Sequence, residues 1–140
     1  MPPRPCAPPE ATITVAAKLE EVRRLTDCVR AFAEAHDSGQ DALIDLELAV
    51  AEAANNIVIH GYDGTPGEIT LHLARQPEGL RIELLDSGAP IPAAVFDHTS
   101  PAPDGAESGR GMAIIFACVD ELAYESADGI NRLKLLKRQP

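Results

Sequence analysis

Residues 41–60 contain neither glycine nor proline, and their apolar positions Leu43, Leu46, Val50, Ala53 and Ile57 recur every three to four residues. That spacing draws one apolar stripe along a long amphipathic helix. The rest of the chain must be arranged so that this stripe is covered. On the polar side of the same helix, Glu52, Asn56 and His60 stand at i, i+4 and i+8 and form a drifting face. Asn55 next to Asn56 is unusual in mid-helix, because the Asn amide competes with the backbone for hydrogen bonds.

The flanking segments supply partners for the stripe. From 18 to about 36, Leu19, Val22, Leu25, Cys28 or Val29, and Phe32 mark a second amphipathic helix, closed by Asp37-Ser38-Gly39. Residues 11–16 alternate and are β-branched, which predicts a strand. Alternating runs at 68–74 and 80–85 flank Gln76-Pro77-Glu78-Gly79, a hairpin signal. A second hairpin is predicted at 121–126 and 130–136, divided by Asp128-Gly129. Between them Gly109-Arg110-Gly111-Met112 opens the apolar run 112–119, a helix on the core or a buried strand. The resulting order, β-α-α-β-β-loop-α-β-β, predicts an α+β fold: a two-layer α/β sandwich with a mixed, mostly antiparallel sheet. The stretch 86–108, with Pro90, Pro92, Pro101, Pro103, Gly88 and Gly105, reads as a functional or mobile loop. Residues 1–9 hold five prolines and read as a disordered tail ahead of one domain over 10–138.

Composition excludes several classes of function. Twelve Lys and Arg against 22 Asp and Glu leave a net charge of −10, which argues against a chain that holds nucleic acid or an anionic membrane by charge. Aromatics are 4 % of a chain that is 45 % hydrophobic, so the core must be aliphatic and rich in alanine. Cys6, Cys28 and Cys118 are odd in number and far apart, which suits a reducing compartment rather than a disulfide framework. With no apolar run of the ~20 residues that span a bilayer and no signal-peptide core, a cytoplasmic protein is expected. Cys28 and Cys118 fall in apolar phase and are expected to be buried and inert. His36, His72 and His98 lie in polar stretches and are expected to be solvated; the histidines show no zinc-ligand spacing.

Three short stretches can carry chemistry. Glu52 with Asn56 offers a carboxylate base beside a neutral oxygen ligand for Mg²⁺, although a polar seam on a half-exposed helix explains the same stripe equally well. Asp86-Ser87-Gly88, at a strand end, offers a carboxylate that can accept from an exocyclic amine, with a glycine that lets a planar base approach; an ordinary turn is the simpler alternative. Gly109-Arg110-Gly111 ahead of a helix offers free N–H groups to phosphate oxygens, or is only a tight turn.

Taken together and in this order, the stretches resemble the GHKL (Bergerat-fold) ATPases, and among them the bacterial anti-sigma-factor serine/threonine kinases of the RsbW type. Residues 47–62, with Glu52, Asn55, Asn56, His60 and Tyr62, are similar to that family's N-box. Asp86-Ser87-Gly88-Ala89-Pro90 is similar to its first glycine box, in which Pro at the fifth place is usual for this branch, and Glu107-Ser108-Gly109-Arg110-Gly111-Met112 to its second. The resemblance implies the roles. Glu52 would polarise a serine hydroxyl of a protein partner, and Asn56 would ligate Mg²⁺. Asp86 would recognise the adenine amino group, with Gly88 beneath the ring. Residues from about 91 to 108 would form the ATP lid, and Gly109 and Gly111 would cradle the phosphates. Asn55, His60, Ser108, Arg110 and Met112 would complete the ATP site. Two positions depart from relatives: Glu107 stands where some carry a basic residue facing the terminal phosphate, leaving Arg110 as the nearby cation, and Asn131 stands where many carry a Thr near the base.

The function so implied is an Mg·ATP-dependent serine kinase of a partner-switching module. It would phosphorylate a STAS-domain anti-sigma-factor antagonist and alternatively bind and inhibit a sigma factor or another regulatory target, with a homodimer implied by the family. A module that sequesters its partner in a nucleotide-dependent way without productive transfer is the alternative. A sensor histidine kinase would need a phosphoacceptor helical hairpin, for which these 140 residues leave no room.

Overall fold

A computed structural model of the chain describes residues 9–92 and 107–138, with backbone alone at 107–110. The expected tail, apart from Pro9, and residues 93–106 of the lid expected over about 91–108 lie outside the described residues, as do Cys6 and His98.

Strand β1 (Glu10–Ala16) leads through a single 3₁₀ turn, Leu19–Glu21, into helix α1 (Val22–Ala35). Helix α2 (Gln40–Asn56) follows, continued by a π-helical turn, Ile57–Tyr62. The hairpin β2 (Glu68–Gln76) and β3 (Gly79–Asp86), helix α3 (Glu107–Cys118) and the hairpin β4 (Glu121–Ala127) and β5 (Ile130–Arg138) complete the described elements. The strands lie in the order β1-β2-β3-β5-β4, and all four pairings are antiparallel. The α+β two-layer sandwich expected from the element order is therefore the fold, with a described sheet that is antiparallel throughout instead of mixed, because hairpins and antiparallel neighbours account for every pairing.

The period-two pattern of the strands decides which face meets the helices. Ile69, Leu71 and Leu73 of β2, Leu80, Ile82 and Leu84 of β3, and Leu133 and Leu135 of β5 join one buried cluster with Leu25, Val29, Leu46, Val50, Met112 and Ile115 from the helices. The opposite face is polar: Thr12 Oγ1 meets His72 Nδ1 at 2.8 Å and Thr14 Oγ1 meets Thr70 Oγ1 at 2.9 Å across β1 and β2. Ala49, Ala53 and Ala54 are fully buried on α2, so small side chains line its seams with the neighbouring helices and sheet. Val29, not Cys28, takes the deep position on α1, while Leu19 is 55 % exposed and leaves the apolar stripe. The reason is local: Leu19 sits in the 3₁₀ turn, whose tighter pitch breaks phase with α1. His36 is buried rather than solvated, with its ring 4.4 Å from that of Phe32.

Candidate active site

Helix α2 reaches its C-terminal end with Glu52, Asn55 and Asn56 all half-buried, one side of the helix being sealed against the sheet and the other open. The helix does not stop there. Its last turn widens into the π-helical turn, which carries His60 to the surface and ends where Asp63 takes a left-handed conformation at φ 47°. Wide turns of this kind insert an extra residue into the helical ladder and recur at functional sites. Here the turn delivers Gly61 and Tyr62 to the start of the 86–92 segment. Gly61 O accepts from Ala89 N–H at 2.7 Å, and Tyr62 Oη accepts from Ser87 N–H at 2.9 Å while donating to Glu68 O at 2.6 Å. The end of α2 and the end of β3 are thereby fastened together.

Asp86 is the last residue of β3 and points inward, in the same phase as Ile82 and Leu84. Its Oδ1 accepts from Gly88 N–H at 2.9 Å and from Asn131 Nδ2 at 2.8 Å. Burial raises its pKa, and these two hydrogen bonds, which favour the charged form, oppose the rise. Asn131, the first inward residue of β5, carries no role predicted from the sequence. It is 2 % exposed, and besides Asp86 its Nδ2 donates to Gly88 O at 2.8 Å while its Oδ1 accepts from Ser126 Oγ at 2.6 Å. The signal was available: Asn131, Leu133 and Leu135 share one phase, and an amide in an apolar phase needs partners.

A cavity of about 350 Å³ opens between these elements, lined by Asn56, Ile57, His60, Gly61, Asp86, Ala89, Pro90, Ile91, Pro92 and Met112. It joins Asn56, His60, Asp86 and Met112 from three separate stretches of sequence, with an apolar wall and a carboxylate at one end. A wider depression of about 620 Å³ lies beyond Asp86, towards Thr65, Glu68, Thr70 and Ile130. Gly88 lines that depression rather than the smaller cavity, and its nearest neighbour is backbone: a Cβ there would stand 2.7 Å from the Gly61 carbonyl carbon. Asn55 lines neither cavity.

Helix α3 begins at Glu107, five residues earlier than the apolar run suggests, so Gly109 and Gly111 lie within its first turns instead of before it. Ser108, Gly109 and Arg110 belong to that first turn. Gly111 faces α2: a Cβ on it would lie 3.0 Å from Asn56 Nδ2 and 3.3 Å from Glu52 Oε2. The structure thus brings Glu52 and Gly111 beside Asn56, which lines the cavity, while Glu52 and Gly111 themselves stand outside its lining. Among the described residues Glu52 has no hydrogen-bond or ion-pair partner. Nor does any group of three or more His, Cys, Asp or Glu side chains gather among them in a way that could hold a metal. No helix among them is long and apolar enough to cross a membrane.

Residues 15–137 match the histidine kinase-like ATPase domain family. The chain belongs to that family, in the branch that contains the anti-sigma F factors and the RsbW serine-protein kinases. It is 29 % identical over 123 residues to an anti-sigma F factor from Clostridium acetobutylicum, covering 86 % of this chain and 85 % of that protein. It is 31 % identical over 104 residues to an anti-sigma F factor from Thermoanaerobacter pseudethanolicus, covering 72 % and 73 %. With the serine-protein kinase RsbW of Halalkalibacterium halodurans it shares 30 % over 132 residues, covering 88 % and 80 %. In fold it is similar to the crystal structure of the RsbU and RsbW domains of Rv1364c from Mycobacterium tuberculosis, with a TM-score of 0.70 at 21 % identity over 94 % of this chain. This chain spans 33 % of that longer one. The nucleotide such a family implies is ATP.

Proposed function

We propose that the chain is an ATP-dependent protein serine kinase of a partner-switching module. Its substrate is a serine on a STAS-domain anti-sigma-factor antagonist, and its alternative partner is a sigma factor or an equivalent regulatory target. The observation that carries this reading is the arrangement of Glu52, a carboxylate with no partner among the described residues, one helical turn before Asn56, which lines a cavity that also holds the buried Asp86. Adenine fits the apolar end, where Asp86 accepts from its amino group. The phosphates then extend past Asn56 towards the first turns of α3, where Gly109, Gly111 and the N–H groups of Ser108 and Arg110 stand.

The oxygen that Asn56 brings to the cavity lining suits Mg²⁺. Asn56 Oδ1 is a hard, neutral oxygen, and this ion is commonly held by one or two protein oxygens with phosphates and water completing its shell. Asn56 would hold Mg²⁺ there, and the ion would supply positive charge against the phosphates. Glu52 takes the proton from the serine hydroxyl as its oxygen bonds to the γ-phosphorus and the bond from that phosphorus to the β-γ bridging oxygen breaks, releasing ADP. Phosphoryl transfer of this kind depends on positioning and charge stabilisation more than on covalent chemistry. A correctly placed base contributes about 10²–10⁴-fold.

Incubating the chain with Mg²⁺, γ-labelled ATP and the antagonist tests the reading: label should appear on one serine of the antagonist. Glu52→Ala should lower that transfer by about 10²–10⁴-fold while leaving ATP affinity within a few-fold of wild type. ATP and antagonist binding with no label from the wild-type chain would favour the sequestering module instead. Equal labelling by the variant would remove Glu52 from the mechanism.

A further inference from the structure

We infer that Asn131, held by Ser126, is the positioning residue that sets the base selectivity of this site by presenting Asp86 to the ligand in a single orientation. The inference rests on reading the Asp86 cavity as the nucleotide site. Asn131 is 2 % exposed and makes three hydrogen bonds, which agree on one placement of its amide. Nδ2 faces two acceptors, Asp86 Oδ1 at 2.8 Å and Gly88 O at 2.8 Å. Oδ1 faces a donor, the Ser126 hydroxyl, at 2.6 Å. Rotating the amide by half a turn would set its oxygen against both acceptors and lose both donations. The Ser126 hydroxyl supports the observed placement from the far side, at the rim of the β4–β5 hairpin.

The consequence falls on Asp86. Its Oδ1 already takes donors from Gly88 and Asn131, while Oδ2 has no hydrogen-bond partner among the described residues. The carboxylate is thus pinned through one oxygen and offers the other as a pure acceptor. A purine with an amino group at position 6 matches that acceptor; one with an oxo group there places oxygen against oxygen. Without the Asn131 donor, Asp86 keeps only Gly88 N–H, can turn about its side-chain bonds, and loses part of the support for its charge. Asn131 therefore acts on the ligand through Asp86, and its effect should depend on the ligand's amino group. A merely structural role in β5 would not.

Binding of ATP and of purine riboside triphosphate, which lacks the 6-amino group, should be measured by calorimetry for the wild-type chain, Asn131→Leu and Ser126→Ala. Asn131→Leu should weaken ATP by about 10- to 100-fold and the amino-free analogue by less than about 3-fold, since hydrogen bonds to charged groups are the strong ones. Ser126→Ala should shift the ATP-to-analogue ratio in the same direction by about 3- to 10-fold. Ser126 is exposed, so this variant carries the test if Asn131→Leu does not fold. Equal losses for the two ligands, or an unchanged ratio in both variants while the wild type binds ATP, would overturn the assignment alone. A wild-type chain that binds neither ligand would overturn the nucleotide reading and the assignment with it.

Discussion

Gly111 shows how a single absent side chain can matter at a site. Alanine is the better helix former by about 1 kcal/mol, so Gly111→Ala should hold or raise the melting temperature. Yet its Cβ would stand 3.0 Å from Asn56 Nδ2 and 3.3 Å from Glu52 Oε2, and both side chains must give way. The expected outcome is a variant as stable as wild type by thermal melt whose phosphoryl transfer falls by about 10-fold or more. Asp86 makes the opposite trade. Burial raises its pKa, so the folded chain binds that proton more tightly than the unfolded one. Stability from this group is present in full below the ordinary carboxyl range and is lost as pH rises through the folded value, which makes the buried charge a net cost at neutral pH. Asp86→Asn removes the cost and keeps an oxygen for Gly88 and Asn131. It should melt at or above wild type at neutral pH, with the difference closing towards about pH 4, while ATP affinity falls. Melts across that range, paired with ATP titrations, check both halves.

At the scale of elements, what could be read in advance followed from periodicity, and what was missed followed from close contact. The stripe Leu43, Leu46, Val50 and Ala53 is buried on α2, and Ile57 continues it into the π-helical turn, as the spacing requires. Both hairpins formed where turn residues separate alternating runs. The start of α3 was misplaced because Gly109 and Gly111 argue against helix on propensity; at Gly111 the proximity of Glu52 and Asn56 supplies a reason for glycine that no local pattern contains. The π-helical turn was equally hidden, since its purpose lies in what Tyr62 reaches. That side chain is buried, its ring packs on Gly67, and its hydroxyl joins Glu68 O to Ser87 N–H. Tyr62→Phe should cost about 1–3 kcal/mol in denaturant unfolding, because Ser87 N–H loses its acceptor. It should also weaken ATP binding, as the strap between α2 and the Asp86 segment loosens. Unchanged stability and affinity would show that the backbone bond from Ala89 to Gly61 holds the strap alone.

Across the whole molecule, the order of elements was enough to specify the two layers, but the path of β5 between β3 and β4 was not legible. It depends on Leu133 and Leu135 of β5 meeting Leu84 and Ile82 of β3 across the sheet, a pairing of residues about fifty positions apart. That same insertion brings Asn131 opposite Asp86, so the contact between these two site residues and the strand order, neither of them legible in the sequence, have one cause. The aliphatic, alanine-rich core expected from the scarcity of aromatics is what the helices share with the sheet. One element of that core spans the distance from site to interior. Helix α3 holds Gly111 against Asn56 and Glu52 and, two turns on, ends with Cys118, 5 % exposed and with its thiol pKa pushed up by burial. A thiol so placed should react faster with an alkylating reagent when the end of the helix lifts. With Cys6 and Cys28 replaced by serine, the alkylation rate at Cys118 becomes a stopwatch for the helix's excursions. Mg·ATP should slow it if the phosphates clamp the opposite end, and leave it unaltered if they do not.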